Sequence, residues 1–268
     1  MSAADATLEI LNTIVSQSED GPPLPHDFRF IPGDTIYFTF QVAHFAIQRN
    51  EELDASQIDI SYDVALEDAS GVPLVPAASD RIAVQLNSQD KNWLPKRRAS
   101  FQVPNLIAAG EYELVVNVRD TFAHKESSVR VPIHIGGERV NPSGSVSVQQ
   151  FRFLRDENDT RPLTVPAYRP GDTVYTKFDI VGFAMGKGNE YRVQYGLTVI
   201  APNGKPFVQG ENAATLQDAT FYPAQFLPAT LDVLTKPSSA RGAYTLVLTV
   251  HDLVGNRSCE VKQVFSLE

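Results

Sequence analysis

One cysteine, one tryptophan and two methionines are all that 268 residues carry of these types. The lone Cys259 excludes an intrachain disulfide and any zinc site built from several cysteines. Absence of disulfides suits the cytosol, yet exported bacterial domains also fold without them, so the compartment stays open on this ground. No apolar run approaches the roughly 20 residues needed to cross a bilayer as a helix. The opening Met1-Ser-Ala-Ala-Asp5 has neither the basic start nor the apolar stretch of a signal peptide. A trimmed exported chain and a cytosolic one would read alike here.

Basic charge is scarce as well. With a net charge of −9 and a pI near 5.1, the chain lacks the clustered Lys and Arg that a phosphate backbone requires, and a nucleic-acid partner is not expected. One short cluster, Lys96-Arg97-Arg98, reads as a solvated loop. Catalytic signatures are missing too. There is no G-x-S-x-G elbow, no P-loop and no dinucleotide fingerprint, and Gly186-Lys-Gly188 lacks the third glycine. The five histidines, His26, His44, His124, His134 and His251, form no metal-binding pair. Cys259 falls near the last expected strand, where a small semi-buried hydrophobe is the natural reading. The chain is not expected to be an enzyme.

What the sequence does contain, it contains twice. Residues 8–46 align without a gap on 146–184, so that Phe30-Ile-Pro-Gly-Asp-Thr-Ile-Tyr37 falls on Tyr168-Arg-Pro-Gly-Asp-Thr-Val-Tyr175. Ser61–Leu66 and Gly71–Val75 return as Gln194–Val199 and Gly204–Val208. Trp93-Leu-Pro95 returns as Phe226-Leu-Pro228, and Gly110-Glu-Tyr-Glu-Leu-Val115 as Gly242-Ala-Tyr-Thr-Leu-Val247. Copies of about 130 residues have the size of domains rather than of stacking repeats. The polar stretch Gly136–Ser145 separates them, giving domains at 1–137 and 138–268.

Alternation dominates both copies. Ile36, Phe38, Phe40 and Val42 alternate with polar residues, and Val174, Thr176, Phe178 and Ile180 repeat the pattern. Tyr112, Leu114, Val116 and Val118 match Tyr244, Leu246, Leu248 and Val250. Further strands are predicted at 8–14, 58–66, 129–135, 146–153, 191–200 and 260–267. Short helical turns are predicted at Ile82–Leu86 and Ala213–Leu216. Asp68-Ala-Ser-Gly71 and Ala201-Pro-Asn-Gly204 read as hairpin turns whose last glycine takes positive φ. About seven strands per copy with no crossover helix predict antiparallel sheets packed face to face.

The fold class is therefore all-β, two tandem immunoglobulin-like sandwiches related by internal duplication. The motifs Tyr168-Arg-Pro-Gly-Asp-Thr-Val174 and Gly242-Ala-Tyr-Thr-Leu-Val-Leu-Thr-Val-His-Asp252, present in both copies, resemble bacterial immunoglobulin-like and macroglobulin-type domains. No Cys-Gly-Glu-Gln thioester segment is present, and neither are the cysteine pair and core tryptophan of antibody domains. The resemblance implies a non-enzymatic binding or structural module that contacts a protein outside the cytoplasm, periplasmic or secreted. Nothing in the chain argues against the cytoplasm. The alternative is a non-catalytic carbohydrate-binding module of a polysaccharide-processing system.

Candidate residues follow from these readings. Asp34 and Asp172 in the Pro-Gly-Asp turns, and Asp120 and Asp252 at the strand ends, read as structural carboxylates bonding backbone. Tyr112 and Tyr244 read as tyrosine corners. Asp156, Glu157 and Asp159 form an acidic turn that offers oxygen ligands to calcium from one loop; no other cofactor is expected. Trp93, Phe221, Tyr222 and Phe226 lie in the Pro-rich segments before the late strand pair, either as core anchors or as ligand contacts.

Overall fold

The computed structural model describes residues 7–50, 55–86 and 93–268. The chain divides after Arg139 into two compact units, Met1–Arg139 and Val140–Glu268. All regular structure among the described residues is strand, and no helix there is long and apolar enough to cross a membrane.

Unit 1 contains β1 (Glu9–Ser16), β2 (Arg29–Phe30), β3 (Thr35–Ala43), β4 (Gln48–Asn50), β5 (Ala55–Glu67), β6 (Ala78–Leu86), β7 (Lys96–Gln102), β8 (Gly110–Asp120) and β9 (Lys125–Ile135). A small sheet runs β1-β3-β7, and a larger one runs β2-β9-β8-β5 with β4 and β6 on opposite sides of β5. Unit 2 contains β10 (Ser147–Leu154), β11 (Ala167–Tyr168), β12 (Thr173–Val181), β13 (Glu190–Ile200), β14 (Pro206–Ala219), β15 (Leu227–Leu234), β16 (Gly242–Asp252) and β17 (Arg257–Leu267). Its sheets run β10-β12-β15 and β11-β17-β16-β13-β14. Apart from β4, each strand of unit 1 has a counterpart of the same rank in unit 2. Each unit is an immunoglobulin-like sandwich, with the first strand split between sheets and its second piece lying parallel to the last strand.

The period-two pattern fills each core. Ile36, Phe38, Phe40 and Val42 of β3 and Leu114, Val116 and Val118 of β8 are buried, as are Val174, Phe178 and Ile180 of β12 and Leu246, Leu248 and Val250 of β16. Burying such side chains stabilises by roughly 1.5–3 kcal/mol each. Both tyrosine corners form, with Tyr112 Oη donating to the Ala108 carbonyl at 2.9 Å and Tyr244 Oη to Ala240 at 2.7 Å. The hairpin glycines Gly71 and Gly204 take φ of 78° and 76°, the left-handed residue that closes a three-residue loop. One shared device has no local sequence signal. β1 and β10 each carry a bulge, at Leu11/Ile14 and Gln149/Arg152, where Asn12 and Gln150 take positive φ.

Three expectations are corrected. Ile82–Leu86 and Ala213–Leu216 are not helical turns but parts of β6 and β14. Both are edge strands, exposed on several sides, so the alternation that marks a strand is blurred while pairing with β5 or β13 still fixes the backbone. Lys96-Arg97-Arg98 opens β7 rather than a loop. The match of Trp93-Leu-Pro95 to Phe226-Leu-Pro228 is out of register by one residue: Pro95 accepts the amide of Val42, whereas Leu227 lies opposite the equivalent Ile180. Leu94 therefore corresponds to Phe226. A slip of one residue exchanges the faces of a strand, so Pro95 is buried and Pro228 exposed.

Candidate functional site

The turn and strand-end carboxylates serve the backbone, as their sequence context predicts. In the Pro-Gly-Asp turns, Asp34 accepts the Ile31 amide at 2.9 Å and Asp172 that of Arg169 at 2.8 Å. Asp120 and Asp252, both buried, act over a longer range. Asp120 accepts the amides of Phe122 and Ala123 in the β8–β9 turn and of Ala46 in the loop after β3, at 2.9, 3.0 and 2.5 Å. Asp252 repeats this with Val254, Gly255 and Ala184, and also receives Arg257 Nη2 at 3.2 Å. Each thus clamps two loops at one end of its sandwich, a contact across 74 or 68 residues of sequence.

That end is organised differently in the two units. His44 and Gly182 occupy the same place, with φ of 59° and 69°. A Cβ at Gly182 would lie 2.2 Å from the Ser145 carbonyl, so unit 2 demands glycine there. Arg257 seals the junction by donating to the Gly144 and Gly182 carbonyls at 3.0 and 3.2 Å. In unit 1 His44 instead faces Glu9, at 3.5 Å.

The predicted aromatic residues separate. Phe226 is 5% exposed and belongs to the core, whereas Phe221 is 55% exposed at the loop end of unit 2. Tyr222 is half-buried, its hydroxyl 3.3 Å from Gln225 Nε2. Trp93 stands in unit 1, 37% exposed. Among the described residues no row of solvent-facing rings forms a sugar platform. At the loop end of unit 2 three connections meet. Asn189, from the β12–β13 loop, binds the Phe221 carbonyl through its Nδ2, and Leu253 of the β16–β17 turn donates its amide to Arg192. Phe221, Leu253 and Val254 all present exposed apolar side chains there, and sequence reading missed the last two because turn residues carry no period.

The acidic turn lies on the surface of unit 2. Asp156 accepts the Asn158 amide at 3.0 Å, and Asp159 the Arg161 amide at 3.4 Å. No group of three His, Cys, Asp or Glu side chains is poised for a metal ion among the described residues. Its counterpart in unit 1 is neutralised, with Arg98 at 2.8 Å from Glu19 and 2.6 Å from Asp20, and Lys96 at 3.6 Å from Asp20. In unit 2 partial burial, and then the charge of Glu157, push the Asp232 carboxyl above its ordinary value, with Lys177 pulling the other way.

A shallow groove of about 920 Å³ crosses the outer face of the large sheet of unit 1, between β6 and β9. Its polar groups largely satisfy one another: Arg81 binds Asp59 through two bonds of 2.6 and 2.5 Å, Arg119 meets Glu126 at 2.5 Å, and Asn117 donates to Asp63 at 2.9 Å. The Arg81 guanidinium holds the Asp59 carboxyl below the usual aspartate range. Burial pushes the Cys259 thiol up, the opposite of what a reactive thiolate needs.

The fold and these contacts define a tandem immunoglobulin-like β-sandwich protein in which Asp34, Asp120, Asp172 and Asp252 hold loops. No family model matches the chain, and no curated protein matches it. Similar solved structures include the C-terminal domain of the Streptococcus agalactiae AgI/II polypeptide BspA, 11% identical over 95% of this chain and 99% of that one, with a TM-score of 0.31. The C-terminal domain of the Streptococcus pyogenes antigen I/II-family protein AspA is 10% identical over 96% and 99%, TM-score 0.32. Escherichia coli alpha-2-macroglobulin is 9% identical over 98% of this chain and 17% of that one, TM-score 0.30. None of these three superposes closely, and the fold assignment rests on the strand order above.

Proposed function

We propose that this chain is a non-catalytic, protein-binding module that acts outside the cytoplasm, with unit 2 as its contact unit and unit 1 as a soluble, acidic spacer. The observation that carries the reading is the loop end of unit 2, where Phe221, Leu253 and Val254 from two separate connections are exposed on a frame locked by Asp252 and Arg257. Rigid loops bearing apolar tips are a common way to present a recognition surface. The extracytoplasmic location rests on the motif resemblance and is tested by fractionating cells. Binding is tested by capture from a cell-envelope extract on immobilised chain, wild type against a Phe221→Ser/Leu253→Ser double variant, with proteins quantified by mass spectrometry. A protein retained by the wild type and depleted at least about tenfold on the variant is the expected result. Identical capture profiles would sink the reading.

A further inference from the structure

The open side of each sandwich, where the edge of the large sheet faces the edge of the small one, is built differently in the two units. In unit 1 both edges turn charge inward. Asp80 of β6 lies opposite Tyr62, whose hydroxyl approaches its carboxylate at 3.4 Å, and Arg97 of β7 lies opposite Phe40. The charges of both Asp80 and Arg97 are felt at the Tyr62 phenol, so they converge on one spot. Inward charges at sheet edges prevent a further strand from adding, because its pairing would bury them. In unit 2 the same positions hold alanine. Ala214 of β14 lies opposite Tyr195, and Ala229 of β15 opposite Phe178, while the Tyr195 hydroxyl reaches the Thr230 carbonyl at 3.4 Å.

The two unguarded edges are not equivalent. β15 carries Pro228, which donates no backbone hydrogen bond, and the exposed Asp232. β14 contains no Lys and no Arg, its only proline is the first residue, and Asn212–Gln217 is uncharged. Towards its beginning a bulge spreads Gly210–Ala214 across Leu197–Tyr195, but from Ala214 to Ala219 the ladder with β13 is regular.

We infer that Ala214–Ala219 of β14 is a self-association edge, at which two copies of this chain pair antiparallel about Leu216 and extend their large sheets into one. A second copy fits because the segment is compatible with itself. Centred on Leu216, the register sets Leu216 against Leu216, Thr215 against Gln217 and Ala214 against Asp218, so that like-with-like faces are kept and no two acids oppose. Unit 2 holds 12 basic and 12 acidic residues, so its approach to a second unit 2 meets no net repulsion. The pairing is isologous and consumes both edges, so assembly stops at two. It uses a surface other than the loop end assigned above to a foreign partner.

Sedimentation velocity of the full chain between about 1 µM and about 500 µM tests the proposal, with an expected dissociation constant on the order of 10–100 µM for so small an interface. Thr215 and Gln217 are both exposed, so a Thr215→Lys/Gln217→Lys variant keeps the fold and sets lysines against lysines across the axis. Its self-affinity is expected to fall at least tenfold. Mixing it with Thr215→Glu/Gln217→Glu restores a dimer of one copy of each, which a merely structural defect would not do. Leu253→Ser leaves the equilibrium unchanged, separating this edge from the loop end. A wild type that stays monomeric throughout, or a dimer indifferent to the lysine pair, overturns the proposal. So does a monomer that cross-links through a photoreactive residue at 215 only to a different protein, which would give the edge to a foreign strand.

Discussion

Units 1 and 2 share a strand order, two tyrosine corners and two loop clamps, yet they divide the chain's charge unequally. Unit 1 has 20 acidic and 11 basic residues and unit 2 has 12 of each, so the whole net charge of −9 resides before residue 140. The outer sheet face shows the same split. In unit 1 it carries Asp63, Glu67, Glu113, Arg119, Glu126 and Arg130, laced by pairs such as Arg130–Glu113 at 2.6 Å. In unit 2 the corresponding rows read Thr198, Val247, Thr245, Thr249 and Val264, with Lys262–Glu260 as an ion pair. Duplication preserved what closes the sandwich and released what faces outward. The lesson is that shared positions report on folding and unshared ones on contact.

The strongest way to break the comparison is to remove a clamp from one unit only. Asp120→Ala and Asp252→Ala each strip three backbone amides of a buried acceptor, a loss of about 3 kcal/mol or more. Calorimetry of the full chain is expected to show one lowered transition in each case. The Asp252 variant should suffer more, because Arg257 also loses its carboxylate; equal losses would mean that Arg257 adds nothing. Next in size are the corners. Tyr112→Phe and Tyr244→Phe are expected to cost about 1 kcal/mol each, and to the same extent, as each deletes one hydroxyl-to-carbonyl bond. Unequal costs would show that the two corners, alike in geometry, differ in the work they do.

Alkali sharpens the contrast. Tyr168 of unit 2 occupies the place of Phe30 in unit 1, donates to the Leu154 carbonyl at 2.7 Å, and is pushed by burial up to about 12. Tyr191 and Tyr195 of unit 2 are also raised by burial, as is Tyr62 of unit 1. A raised folded value means that stability is whole below the ordinary tyrosine value of about 10 and is lost as pH climbs toward 12. Circular dichroism melts between these limits are expected to show earlier loss in the wild type than in Tyr168→Phe; superimposable curves would remove Tyr168 from the account.

The alternating strands, the hairpin glycines and the tyrosine corners were legible because each is a local pattern written twice. Long-range choices were not. The reach of Asp120 to Ala46 spans 74 residues, and the bulges at Asn12 and Gln150 are fixed by pairing, with a residue preference for positive φ at Asn12 but none at Gln150. The Trp93 and Phe226 match misled because three similar letters outweighed a register that only β3 and β12 define. Edge strands β6 and β14 read as helical turns since half of their environment is solvent. The exposed tips Leu253 and Val254 lie in a turn, where neither period nor repeat marks them.

The smallest expected effect concerns two strand aspartates, Asp59 of β5 and Asp232 of β15, through which acid should act on the two units in opposite directions. In unit 1 Asp59 is held low, first by its hydrogen bonds from Arg81, so its contribution is present above the ordinary aspartate value of about 4 and is lost as pH falls through the lower folded one. In unit 2 Asp232 is raised, by burial and then by Glu157, so protonation relieves it and mild acidification favours the folded state. Asp232→Asn removes that repulsion at neutral pH and is expected to gain a few tenths of a kcal/mol, the scale of an exposed charge pair. The gain should vanish as pH falls through the raised Asp232 value, whereas Arg81→Ala should lower stability at neutral pH and bring its acid limb to higher pH. If Asp232→Asn destabilises the chain at pH 7, the attraction of Lys177 outweighs the burden that Glu157 places on that carboxylate.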